Sequence, residues 1–209
     1  MADKKFEILA REALFQGYFR VDRFHIRHEK FHGGWSDPFT REVLGGGVRG
    51  VAVLLFDPLQ DKVVLIEQFR ACVMAMDGDP WMLEIVAGLV DSGEEPDVTA
   101  RREAMEEAGC NVAELQPILG YYPSPGCLSQ HMKLYIGRVS APEDGSVFGV
   151  NAESEDIRVR VIDATQAIGY LYTGKIRDAA SIIALQWFAL RHTDLRSRWL
   201  VSDASTPII

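Results

Sequence analysis

Cysteine is scarce in this chain of 209 residues: Cys72, Cys110 and Cys127 are the three, and no two of them form a CxxC pair. An odd, scattered set without zinc spacing argues against a disulfide framework and predicts a reducing, cytoplasmic setting. The five histidines, His25, His28, His32, His131 and His192, show no HxxxH or HExxH spacing, which leaves no histidine metal motif. His25 and His28 read as surface strand residues. No apolar run approaches the length of about 18 residues that a membrane helix needs. The first residues carry Asp3, Lys4 and Lys5 instead of an apolar stretch, so no secretory signal is expected. Basic residues are also in deficit, 22 against 30 acidic ones, for a net charge of −8. That balance argues against binding of nucleic acid through its phosphate backbone. A polyanionic substrate would have to be received by a few placed arginines or by bound metal.

What remains is an ordinary globular balance, 47% hydrophobic and 25% charged. The length suits one full domain, or one domain with a small appendage. The segments Phe6–Leu9, Tyr18–His28 and Trp35–Leu44 read as an antiparallel β meander. Gly45-Gly46-Gly47 is the clearest punctuation in the chain. It divides a meander over 1–47 from a main domain over 48–209. In the main domain, Val51–Phe56 and Lys62–Arg70 read as a buried hairpin, 71–80 as a loop and Met82–Ala87 as a further strand. Strands follow near 117–122, 132–139 and 157–162. Helices are expected over 163–173 and 178–192.

Pro96–Ala108 is the most strongly marked helix. Pro96 suits a first helical position, Asp97 the first turn, and Gly109 the stop. At about 100° per residue, Ala100, Arg101, Ala104, Met105, Ala108 and Val98 share a small and apolar face expected to pack on a sheet. Glu103, Glu106 and Glu107 form a stripe beside it. Like charges at this spacing repel, and carboxylates near a packed face also lose hydration. Three oxygen donors on one rigid face suit a hard cation such as Mg²⁺ that keeps waters and takes substrate phosphates. A solvated run of glutamates is the plainer reading of a charged helix.

The surrounding residues decide between the two. Gly88, Glu94, Arg102, Glu103, Glu106, Glu107 and Gly109 match the Nudix box, GX5EX7REUXEEXGU with U aliphatic, and the segment resembles that family. Ala104 is small for an aliphatic position, and Cys110 replaces the last aliphatic residue. The resemblance implies an α/β Nudix fold, an α/β/α sandwich around a mixed sheet, here preceded by the small N-terminal antiparallel meander. It also implies hydrolysis of a nucleoside diphosphate linked to another group. Glu103 and Glu107 are the implied metal ligands, with Glu106 as a further ligand or close catalytic support. Glu94 and Arg102 chiefly hold the loop–helix–loop together.

Beyond the box, most of the chain resembles the bacterial ADP-ribose pyrophosphatase subfamily. The likeness lies in Arg11–Leu14, Asp57-Pro58, Val64–Arg70, Leu83–Gly88, Ser124-Pro125-Gly126, Glu153–Ile157 and Ala180–Trp187. Pro125, 15 residues beyond Cys110, is a mark of that subfamily. The resemblance implies substrate contacts at Tyr18, Phe19, Arg41, Glu42, Arg70, Leu89, Ser124 and Gln130. The Ala87 carbonyl and Glu155 are implied metal ligands, and Glu153 the general base. Arginine suits planar contact with a diphosphate, and a loop carrying Glu153, Glu155 and Asp156 suits closure over substrate. Two departures bear on substrate choice. Gln130 stands where the pattern has Glu, and Gly45-Gly46-Gly47 replaces a frequent arginine.

The expected activity is hydrolysis of ADP-ribose to AMP and ribose 5-phosphate with two or three Mg²⁺ ions, or Mn²⁺ in their place. The alternatives are another nucleotide sugar such as GDP-mannose, or a non-catalytic ADP-ribose sensor, against which the intact glutamate set argues. A cytoplasmic homodimer with a small-molecule partner, and neither nucleic acid nor membrane, completes the expectation. The meander carries too much apolar surface to stay wet alone.

Overall fold

The computed structural model describes residues 4–204, with side-chain surroundings through Val201. Asp3, part of the charged N-terminal segment, lies outside them. The chain forms two compact units: residues up to Arg49 together with Tyr122–His131, and Gly50–Tyr121 together with the chain from Met132 onward.

In the first unit, β1 (Phe6–Gln16) pairs antiparallel with β2 (Arg20–His28), from Phe6↔His28 to Gln16↔Arg20. β2 pairs in turn with the start of β3 (Phe39–Asp57), from Val21↔Leu44 to Ile26↔Phe39. The expected meander is therefore present, but β1 runs past Leu9 to Gln16. Tyr18 and Phe19, expected within the second strand, instead occupy the bend between β1 and β2. The Gly17 N–H donates to the Phe19 carbonyl at 2.9 Å there, which turns the chain before the ladder resumes at Arg20. Asp22 is the buried charge among the described residues of this unit, receiving Arg11 at 2.6 Å and Arg20 at 2.9 Å. The two guanidiniums, Arg11 first, hold its carboxyl down at about 2.

The strand ending expected at Leu44 does not occur. β3 passes unbroken through Gly45, Gly46 and Gly47, whose φ values of 107°, 65° and 85° lie in the left-handed region that favours glycine. The Tyr122–His131 segment secures this stretch. The Leu44 N–H donates to the Cys127 carbonyl at 2.8 Å and the Gly47 N–H to Ser129 Oγ at 2.9 Å. Ser129 Oγ donates back to the Leu44 carbonyl at 3.1 Å.

In the second unit, the rest of β3 pairs antiparallel with β4 (Lys62–Phe69), as the hairpin reading required. β4 pairs with β5 (Trp81–Glu84) and, from Lys62 to Glu67, with β10 (Ile157–Asp163). β3 pairs with β6 (Val86–Leu89). The single strand expected over Met82–Ala87 is thus two, changing partner at Ile85. β7 (Glu114–Tyr121) pairs with β8 (Leu128–Arg138), and β9 (Val147–Phe148) with β10. Residues 71–80, expected as a loop, contain the short helix α1 (Ala71–Met74).

Period-two alternation in β3 builds two cores. Ala52, Leu54 and Phe56 join Phe188, Leu195 and Trp199 on one face. Val51, Val53 and Leu55 join Ala100, Ala104 and Ala108 on the other. Helices α3 (Ala164–Thr173) and α4 (Ala179–Ala204) thus cover one face and α2 (Pro96–Ala108) the opposite one. α4 outruns the expected end at 192, because Leu195 and Trp199 continue the buried stripe of Phe188 at helical spacing. Among the described residues no helix is long and apolar enough to cross a membrane.

Candidate active site

α2 begins at Pro96 in a first-turn position and ends at Gly109, whose φ of 62° makes a left-handed cap. The Cys110 N–H closes back on the Ala104 carbonyl at 2.9 Å. Three alanines let the helix lie close on the sheet. The apolar face is narrower than the helical wheel predicted: Val98 and Met105 are exposed, whereas Glu107 is 2% exposed. Rotation of the buried stripe toward Glu107 is what a row of small residues permits, because the contact need not centre on bulky side chains.

That burial decides the electrostatics. Glu107 accepts the Ala87 N–H at 3.0 Å. Loss of hydration nevertheless pushes its carboxyl up to about 8, helped by the charges of Glu103 and Glu155 and opposed by the Ala87 bond and Arg70. Glu103 is raised to about 7, again by burial first. Its side chain sits against Gly88, where a Cβ would come within 1.9 Å of its Oε1. The strand-borne glycine is therefore a seat for this carboxylate.

Arg102 is the counter-charge. It reaches Glu94 at 3.2 Å, Glu103 at 3.0 Å and Glu106 at 2.8 Å, and its terminal N–H approaches the Leu89 carbonyl at 3.4 Å. Glu94 also accepts Thr99 Oγ1 at 2.8 Å, and its carboxyl is held low by Arg102 first and Thr99 second. The box arginine thus ties the loop before the helix to the helix itself. Among the described residues no three acidic, histidine or cysteine side chains close into a ready cation cage, since Glu103 and Glu106 both turn to Arg102. The donor set nonetheless fits a hard cation: two dehydrated carboxylates, and Glu155 close enough for its charge to act on both.

The loop before β10 is tied to α2 and closed on itself. The Gly149 N–H donates to the Glu106 carbonyl at 3.1 Å, and Glu155 accepts the Val150 N–H at 2.9 Å. Glu153 lies in the single 3-10 turn Asn151–Glu153, followed by Ser154 at φ 58°. Its carboxylate is exposed and has no hydrogen bond or ion pair among the described residues. Ala87 and Leu89 lie on β6, and Arg70 stands at the end of β4 with its Nε donating to Glu84 at 2.8 Å. Glu84 was not singled out from the sequence. Burial raises its carboxyl against the pull of Arg70. An acidic residue interrupting an apolar strand was the available signal.

Of the expected site residues, the second unit thus brings together Ala87, Glu103, Glu106, Glu107 and Glu155, with Arg70, Leu89 and Glu153 on adjoining elements. The first unit holds the others. Tyr18 and Phe19 meet edge to face at 4.9 Å and are exposed. Arg41 lies over the Phe39 ring at 4.6 Å, and Glu42 pairs with Arg23 at 3.0 Å. Ser124 Oγ is 3.4 Å from Cys127 Sγ in the Ser-Pro-Gly turn, and Gln130 is half-buried on β8.

Residues 46–191 match the NUDIX domain family. An ADP-ribose pyrophosphatase of Escherichia coli O6:H1 is 43% identical over 193 residues, 92% of each chain. A GDP-mannose pyrophosphatase of Escherichia coli O1:K1 is 34% identical over 153 residues, 73% of this chain and 78% of that one. A solved ADP compounds hydrolase superposes with a TM-score of 0.69 at 18% identity, over 92% of this chain and 97% of that one, a likeness of fold. With the box residues gathered on α2 and its flanking loop, and the match spanning most of its length, the chain belongs to the Nudix family.

Proposed function

We propose that this protein is an ADP-ribose diphosphatase that releases AMP and ribose 5-phosphate. The observation that carries the reading is the dehydrated Glu103–Glu107 pair seated between Gly88 and the Ala87 N–H. Two carboxylates raised by burial are costly unless a cation joins them. The likeness to ADP-ribose pyrophosphatase over 92% of both chains supports the substrate.

In this reading Glu103, Glu107, Glu155 and the Ala87 carbonyl hold divalent metal, Mg²⁺ with Mn²⁺ as substitute, and Glu106 supports them. Bound metal supplies neutralisation of the diphosphate and acidification of water. Arg102 spreads one positive charge over Glu94, Glu103 and Glu106, which keeps the array from splaying before metal arrives. Arg70, braced by Glu84, presents its free guanidinium nitrogens to a phosphate. Glu153, unpartnered on its turn, is free to take the proton from the attacking water, as a general base must be. Tyr18, Phe19, Arg41, Glu42, Leu89, Ser124 and Gln130 complete the substrate contacts. The exposed apolar side chains of β1 and its following bend, Phe6, Ile8, Phe15 and Tyr18 among them, support a homodimer. The three free cysteines support a cytoplasmic setting.

The deciding experiment is a nucleotide-sugar panel at saturating Mg²⁺ with AMP and ribose 5-phosphate detection. ADP-ribose is expected to give the highest kcat/KM. The likeness to a GDP-mannose pyrophosphatase makes GDP-mannose the competitor to include. Preference for it by tenfold would replace the substrate while leaving the chemistry.

A further inference from the structure

The sheet face opposite α2 carries a groove of about 450 Å³, a volume in the range of small-molecule sites. Its floor includes Leu83 and Ile162, which belong to the core shared with α3 and α4 and not to that of α2. The groove is therefore separated by the sheet from the carboxylate helix. Its walls bring Arg160, Lys175 and Arg177 together with Trp81 and Tyr170.

The charges there are unevenly matched. Glu67 of β4 is already engaged by Arg160 at 3.1 Å and Arg158 at 3.8 Å. Asp79 accepts the Trp81 N–H at 3.2 Å. Arg177 has no carboxylate partner among the described residues. Its terminal nitrogen donates to the carbonyls of Asp79 and Trp81, at 3.0 and 3.3 Å. Those bonds fix the guanidinium through neutral carbonyls and form no ion pair with it. Lys175 sits over the Tyr170 ring at 4.6 Å, likewise without a carboxylate. Trp81 is 50% exposed at the rim, edge to face with Phe69 at 5.7 Å. In a chain of net charge −8, the three cations Arg160, Lys175 and Arg177 against the two carboxylates Glu67 and Asp79 leave this groove with an excess of positive charge beside a half-open indole, a local anion site with a stacking surface.

We propose that this groove is a second, non-catalytic binding site for a nucleoside monophosphate. Its phosphate is received by Arg177 and Lys175, through charge-assisted hydrogen bonds, and its base lies against Trp81. Stacking on an aromatic side chain tolerates any base, so the groove selects the class and not one nucleotide.

The test uses full-length protein labelled with 5-fluorotryptophan. The Trp81 ¹⁹F resonance is assigned by loss in Trp81→Phe, and AMP is titrated in EDTA. AMP is expected to shift that resonance saturably. Inorganic phosphate and adenosine should each bind at least tenfold more weakly, since each offers half of the recognition. The double variant Lys175→Glu, Arg177→Gln, whose glutamine keeps a donor for the two carbonyls, should weaken AMP at least tenfold at Trp81. Its kcat/KM for ADP-ribose should stay within twofold of the parent. No shift of Trp81 at millimolar AMP, an unchanged affinity in the double variant, or equal binding of phosphate or adenosine alone would each overturn the proposal.

Discussion

Gly88 on β6 and Glu103 on α2 are mutually exclusive with any side chain at position 88, because a Cβ there would lie 1.9 Å from the Glu103 carboxylate oxygen. The box glycine is thus defined by the side chain resting on it and not by its own backbone angle. Gly88→Ala is expected to displace Glu103 toward Arg102 and to lower kcat by on the order of a hundredfold, the scale of lost metal-ion stabilisation. Melting temperature should change little, as the added methyl removes no core contact. Normal turnover in this variant would show that Glu103 has a second productive position.

Glu107 makes a different prediction, one that separates stability from activity. Burial raises its carboxyl from 4.5 to about 8 in the metal-free fold. The folded form therefore holds a proton that the unfolded chain has released. Its contribution is fully present below pH 4.5 and is lost as pH rises through 8. Metal-free protein should accordingly melt at falling temperature from pH 5 to 9, and Mg²⁺ should restore the loss. Glu107→Gln should flatten that dependence in EDTA and reduce kcat by a hundredfold or more. Parallel melting curves for parent and variant across this pH range would contradict the burial account.

The helix that carries this chemistry was legible because its ends are written in residue types, Pro96 at the start and Gly109 at the stop. The glutamate stripe was legible from spacing alone, and its identity from the box. What spacing could not show was which side of the stripe is buried. That depends on how close Ala100, Ala104 and Ala108 let the helix come to β3, a tertiary fact. The division of Met82–Ala87 at Ile85 was hidden for the same reason, since a strand's change of partner leaves no local mark. β1 beyond Leu9 was missed because Arg11 and Glu12 break the alternation that signals a strand. The ladder holds there through Arg11↔Phe24 and Glu12↔Arg23, and Arg11 is retained by Asp22, 11 positions away.

Glu153 and Glu155 differ in what holds them, and the roles proposed for them predict different effects. Glu155 is tied to the Val150 N–H and its charge acts on Glu103 and Glu107, whereas Glu153 is exposed and unpartnered. Glu155→Gln should raise the Mg²⁺ concentration needed for half-maximal rate. Glu153→Gln should leave that concentration unchanged and lower kcat by roughly 10²–10⁴-fold, the range of a lost general base. An active Glu153→Gln beside an inactive Glu155→Gln would interchange the two roles.

Asp22 governs the N-terminal unit through acid stability. Arg11 and Arg20 hold its carboxyl at about 2, below the 3.8 of the unfolded chain. Its stabilisation is therefore complete above pH 3.8 and disappears as pH falls through 2. Asp22→Asn should expose β1 and β2 to proteolysis at neutral pH, where the parent resists. Because Arg11, inside the β1–β2 ladder, and Arg20, at its turn end, would both lose their carboxylate, hydrogen exchange should accelerate along that ladder. Exchange equal to that of the parent would mean the ladder is held by backbone pairing alone.

The proposed homodimer would use the same two strands. Phe6, Ile8, Leu9, Leu14 and Phe15 of β1 are all exposed, from 37% to 70%, and Tyr18 and Phe19 follow in the bend. Exposed apolar surface of this kind is the ground for the proposed interface, and a two-fold dimer is the commonest way to cover it. β1 pairs on one side with β2, with Ile8 opposite Ile26 and Phe15 opposite Val21, yet its apolar side chains stay exposed. Ile8→Glu with Phe15→Glu is expected to convert a dimer to a monomer in light scattering at micromolar concentration. If substrate contacts at Tyr18 and Phe19 are completed across that interface, KM for ADP-ribose should rise at least tenfold in the monomer while the Mg²⁺ requirement holds. A parent protein that is already monomeric and fully active would remove both the interface and its link to substrate.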